Sequence, residues 1–192
     1  YFHLADLKEG ETVVDLGSGS GMDTFVAALK VGARGKVIGI DMTDEQRAKA
    51  ERLRDRDDFR NVSYLKGYIE AVPLPDASAD VVISNGVVNL ATDKRKVFDE
   101  AARLLKTGGR LVLSDIVTEL QLPENIMCNS TLWAACIGGA AQQDDYRWLI
   151  EAAGLKLIKA ENNAAYQFIS DNARGASRKF GVKSISLLAT KP

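Results

Sequence analysis

Val14-Asp15-Leu16-Gly17-Ser18-Gly19-Ser20-Gly21 is the stretch on which the fold turns. An apolar run over residues 12–16 reads as a buried strand. Three spaced glycines follow, and then Phe25, Val26, Leu29 and Val31 fall at helical spacing. Glycines in a strand-to-helix turn accept strained dihedrals and let the backbone approach a ligand closely. The helix N-terminus behind them offers unpaired N–H groups to an anionic ligand group. Each glycine also costs chain entropy without packing in return, which predicts a ligand-binding loop rather than a plain tight turn. No Gly-Lys-Ser/Thr follows, so a Walker phosphate loop is excluded. The dinucleotide fingerprint fails as well, because its third glycine falls at Met22.

Outward from this loop, short β-branched runs alternate with amphipathic ones. Strands are predicted over 36–41, 62–65, 80–84 and 110–115, and helices over about 44–56 and 93–106, the second stopped by Gly108-Gly109. Such alternation implies a parallel sheet with helices on both faces, a doubly wound α/β fold. A helix over about 144–153 and strands over 155–158 and 183–188 complete the chain. Residues 116–142 and 162–182 are longer than ordinary connections, and are expected to be substrate-cap insertions in a single domain spanning 1–192. Trp133 and Trp148 read as core, and Arg174, Arg178, Lys179 and Lys183 as a solvated basic face.

Asp41 ends the second strand about 20 residues past the loop, where open α/β sheets place a carboxylate for both hydroxyls of a ribose. Thr43 and Gln46 have capping-box spacing for the next helix, so Asp41 is not required as a cap. With 25 Lys+Arg against 26 Asp+Glu among 192 residues, nothing in the charge invites nucleic acid or an anionic membrane. No apolar run approaches the roughly 20 residues of a membrane-spanning helix, and no signal-peptide pattern is present. The chain opens at Tyr1 rather than Met, which leaves room for an upstream segment. Two cysteines, Cys128 and Cys136, and one histidine, His3, at a frayed start, argue against a disulfide framework, a zinc site and a Ser-His-Asp triad. The expectation is an intracellular, cytoplasmic protein.

The loop and Asp41 together resemble the cofactor site of class I S-adenosylmethionine (SAM) methyltransferases. Gly39-Ile40-Asp41-Met42-Thr43, Lys66-Gly67-Tyr68-Ile69-Glu70, Ile83-Ser84-Asn85, Val87-Val88-Asn89-Leu90 and the run from Trp133 to Ala140 resemble arsenite methyltransferases in particular. The likeness runs from about Lys8 to Leu155. It implies a seven-stranded, mostly parallel sheet with its last strand reversed, and SAM lying across the carboxyl edge. In that picture Gly17, Ser18, Gly19 and Gly21 cradle the methionine half, Asp15 orders its amino group and Asn85 lies beneath it. Asp41 grips the ribose, Met42 and Ile69 border the adenine, and Glu70 lies near it. Cys136 matches a thiolate ligand of arsenic. Where the family pattern reads Ser-Asn-Cys-Val, this chain has Gly86, and one thiolate is missing.

The sulfonium of SAM is a good methyl donor, so the main task of the protein is to align an acceptor with it. Oxygen and nitrogen acceptors often need a general base, most commonly histidine. A lone-pair acceptor such as thiol-bound arsenic needs none. The expectation is therefore methyl transfer from SAM to As(III) or a related small acceptor. A different small acceptor, with arsenic binding lost, and a noncatalytic SAM-binding module are the alternatives.

Overall fold

The computed structural model describes residues 1–127, 137–168 and 171–192. Cys128, Trp133 and Cys136 lie outside them. The elements run α1 (Phe2–Ala5), β1 (Thr12–Leu16), α2 (Met22–Val31), β2 (Lys36–Asp41), α3 (Asp44–Arg56), β3 (Val62–Lys66) and β4 (Ala79–Asn85). They continue with a 3-10 turn (Val88–Leu90), α4 (Lys94–Leu104), β5 (Leu105–Val117), α5 (Glu124–Met127), α6 (Gln143–Ala152), β6 (Lys156–Asn162), α7 (Asp171–Phe180) and β7 (Lys183–Thr190).

Seven strands form one sheet in the order β3-β2-β1-β4-β5-β7-β6. The neighbours from β3 to β5 are parallel, and β7 runs antiparallel to both β5 and β6. Strand order reverses between β1 and β4, and an open α/β sheet holds its ligands at the carboxyl edge of that switch point. Both sheet faces are apolar. Phe98, Leu104 and Tyr146 fill one side, and Ala27, Val31 and Tyr64 the other. No helix among the described residues is long and apolar enough to cross a membrane.

Several sequence expectations need correction. Helix α4 does not run to Lys106, and Gly108-Gly109 do not stop it. It ends at Leu104, because Leu105 swings to an extended conformation (φ −70, ψ 137) and pairs with Ala79. Gly108 instead sits inside β5 at φ +78, where the register with β4 shifts, and its N–H donates to Lys191 O. Strand β6 extends to Asn162, paired along β7. Trp148 is not core: it is 61% exposed on α6, with the Arg95 guanidinium 5.7 Å above its ring. His3 is not frayed. Leu4 and Ala5 of α1 pack on Val112, and His3 Nε2 lies 2.7 Å from Glu161 Oε2. In the basic cluster, Lys183 pairs with Glu119 at 2.7 Å and Arg174 donates to Phe168 O.

Candidate active site

The glycine loop folds back onto the end of β2, where Gly17 and Ser18 both donate their N–H groups to Ile40 O. All three of its glycines have positive φ: Gly17 at +74, Gly19 at +52 and Gly21 at +94. Their surroundings differ. A Cβ on Gly17 would come within 2.5 Å of the Val87 side chain, and one on Gly21 within 2.2 Å of the Tyr64 hydroxyl. Around Gly19 such an atom would meet no described residue within 4 Å. Packing therefore does require two of the glycines, against the sequence reading, and of the three only Gly19 turns its bare face away from the described residues. Ser18 is buried beneath, its Oγ without a hydrogen-bond partner among the described residues.

Asp41 braces this loop. Its Oδ2 accepts the Gly19 N–H at 2.9 Å, and its Oδ1 accepts the Thr43 N–H at 2.8 Å. Thr43 makes no side-chain capping bond, so the capping box expected with Gln46 does not form and Asp41 ties down the entry to α3 instead. A carboxylate has about four acceptor positions, and two remain for ligand hydroxyls. Met42, next along, is 60% exposed. Ile69 is buried against the core, and Glu70 is half-buried beside it.

Asp15 lies beneath the loop, 2% exposed, and accepts a hydrogen bond from Thr24 Oγ1 at 2.6 Å. Burial pushes its carboxyl up to about 7. The Thr24 bond opposes the rise, and the charges of Asp23 and Asp41 add to it. A bound cation there would favour the ionised form. Asn85 ends β4 on the same edge and donates from Nδ2 to Asp23 Oδ2 at 2.9 Å. Sequence reading missed Asp23; a carboxylate in the first turn of the helix behind a ligand loop was the available signal. Gly86 follows Asn85 at φ +67, and a Cβ there would meet no described residue within 4 Å.

The structure thus gathers Asp15, Gly17, Ser18, Gly19, Gly21, Asp41, Met42, Ile69, Glu70 and Asn85 around the carboxyl ends of β1, β2, β3 and β4. Cys136 is the expected site residue outside the described residues. A concavity of about 840 Å³ lies at the opposite edge, lined by the Gly32–Lys36 loop and Asp57–Ser63. No residue of the glycine loop lines it. Among the described residues, no cluster of His, Cys, Asp and Glu could hold a metal ion.

The profile of a family described as "Methyltransferase domain" matches residues 7–154. The chain is 40% identical over 192 residues to an arsenite methyltransferase from Halobacterium salinarum, covering 98% of this chain and 49% of that protein. It is 39% identical over 176 residues to the arsenite methyltransferase of Homo sapiens, covering 83% and 47%. The chain spans about half the length of these curated relatives. The crystal structure of CrArsM, an arsenic (III) S-adenosylmethionine methyltransferase from Chlamydomonas reinhardtii, superposes with a TM-score of 0.79. The two are 33% identical, over 96% of this chain and 64% of that one.

Proposed function

Since the chain belongs to the methyltransferase-domain family, we propose that it transfers the methyl group of SAM to a small acceptor, with As(III) as the leading substrate. The observation that carries this reading is the junction of the glycine loop with β2. Gly19, left-handed and facing open space, donates its N–H to a carboxylate that keeps acceptor positions free for hydroxyls. Loop and carboxylate fit the two halves of SAM. Gly19 and Ser18 would hold the methionine half, with Gly17 and Gly21 shaping the turn. Asp15 would face the amino group, Asn85 the methionine end, Asp41 the ribose, and Met42, Ile69 and Glu70 the adenine.

When bound, SAM supplies an electrophilic methyl on a sulfonium. What remains for the chain is to orient the acceptor and exclude water, which can contribute several kcal/mol by proximity alone. His3, the sole histidine, is engaged by Glu161 of the edge strand. An acceptor with a free lone pair, needing no general base, suits that arrangement. Trivalent arsenic prefers soft thiolates, which assigns Cys136 as a ligand, and a cytoplasmic setting keeps such thiols reduced. β5 and β6 both end at the carboxyl edge, where the long segments 116–142 and 162–182 begin, and among the described residues Ile116, Leu122, Ile137, Ala173, Ala176 and Val182 form one apolar cluster. We assign both segments to the acceptor cover. Gly86 supports a second reading, another small acceptor, because it brings no thiolate where the family pattern has one.

The test is turnover with labelled SAM, offering As(III) with a thiol beside small oxygen, nitrogen and carbon acceptors. Label in methylated arsenic is the expected result. Label in another acceptor alone supports the second reading. SAM binding without transfer to any acceptor would leave a noncatalytic SAM-binding module.

A further inference from the structure

A dense buried polar cluster lies beside the site, made of residues other than those assigned above to SAM. Asp115, 2% exposed near the carboxyl end of β5, accepts the Ile116 N–H at 2.8 Å and the Asn89 N–H at 3.1 Å. It also accepts Asn89 Nδ2 at 2.8 Å. The Tyr146 hydroxyl lies 3.0 Å from Asp115 and 2.8 Å from Asn89 Oδ1, and its one proton serves one of them at a time. Lys94 Nζ reaches Asn89 O at 3.4 Å. Asn89 and Tyr146 are fully buried. Polar groups at this depth cost free energy unless each is satisfied, and a satisfied network fixes one geometry.

The members come from separate parts of the chain: the 3-10 turn after β4, β5, α4 and α6. A fifth segment joins them by packing. A Cβ on Gly139 would fall 2.1 Å from Asn89 O, so the turn over 137–141 rests directly on the Asn89 backbone. Upstream, Val87 rests on Gly17 of the ligand loop. A concavity of about 550 Å³ opens beside the cluster, with Ala91, Lys94, Thr118 and Gly139 in its wall.

We propose that Asn89, Asp115 and Tyr146 form a positioning frame for the acceptor, clamping the turn that carries Gly86 to the turn that Cys136 precedes. The inference rests on the proposed methyl transfer, since these are the two segments assigned to the acceptor. None of the three residues touches the reacting atoms; each acts through the backbone that it holds.

The experiment compares the full chain with Tyr146→Phe, which keeps the ring against Phe98 and removes only the hydroxyl. Ile150→Val, on the same helix and in the same core but outside the cluster, serves as the packing control. Hydrogen exchange is followed at amides 86–91 and 137–141, with SAM affinity by calorimetry and kcat well below the melting temperature. In Tyr146→Phe both turns should exchange faster together, kcat should fall about tenfold through misalignment, and SAM affinity should stay within about twofold. Ile150→Val should keep kcat within about twofold. Faster exchange in only one turn, unchanged kcat, or a parallel loss of SAM affinity would overturn the frame. An inactive unsubstituted chain would instead overturn the methyl-transfer reading and the positioning role with it, while the exchange data would still report whether the two turns are clamped.

Discussion

Three glycines of similar backbone conformation do different work, and substitution separates them. Gly17→Ala should lose about 2–4 kcal/mol, combining left-handed strain with overlap on Val87. A Cβ on Gly19 meets no described residue within 4 Å, so Gly19→Val should fold at the cost of its left-handed backbone strain, while losing SAM. Urea unfolding paired with calorimetry checks both, and a folded Gly19→Val that retains SAM affinity would remove the cradle. Asp41, the proposed ribose ligand, also holds two backbone N–H groups, a task that its position in the sequence did not disclose. Asp41→Ala should weaken SAM and also cost about 1–3 kcal/mol, because two backbone N–H groups lose a charged acceptor. An unchanged melting temperature would show that water replaces those bonds without loss.

At the scale of elements, α6 presents Tyr146 and Ile150 inward and leaves Trp148 outside, over Arg95. A buried tryptophan would cost about 3–5 kcal/mol on truncation. Trp148→Ala should instead cost under about 1 kcal/mol, the worth of an exposed cation–π contact, by urea denaturation. The junction of α4 and β5 makes a related point. Helical spacing in the sequence continues past Leu104, but pairing of Leu105 with Ala79 ends the helix. A strand partner 26 residues away outweighs local propensity, which is worth only tenths of a kcal/mol per residue.

For the whole molecule, the buried Asp15 couples folding to pH. Its carboxyl is raised from 3.8 to about 7, so between these values the folded chain holds a proton that the unfolded chain has released. This contribution is therefore present at low pH and is lost as pH rises toward 7. Asp15→Asn, which cannot ionise, should gain stability relative to the parent as pH rises from about 4 to 7, by a few kcal/mol at about 1.4 per unit, and level off above. Urea midpoints across that range check the sign, and a constant difference would place the Asp15 carboxyl outside this window. The acceptor assignment is tested at the same scale. A Cβ on Gly86 would meet no described residue within 4 Å, but the residue stands at φ +67, so Gly86→Cys should cost about 1–2 kcal/mol in stability. It should nevertheless raise As(III) affinity, and Cys136→Ser in that background should remove the gain. No gain in a folded Gly86→Cys variant would point to a pocket rebuilt for another acceptor.

Strand-helix alternation, the glycine loop and the carboxylate ending β2 were legible in the sequence by itself, because period and spacing are local properties of the chain. Those features determined the doubly wound sheet and the edge at which such sheets hold ligands. Tertiary structure alone decided which glycines are packed, that Asp41 rather than Thr43 ties down α3, that Trp148 faces outward, and that Asn89, Asp115 and Tyr146 meet. The partners in that network stand 26, 31 and 57 residues apart. Strand order sets which of them become neighbours, and hydrophobic periodicity along one segment carries no record of that order.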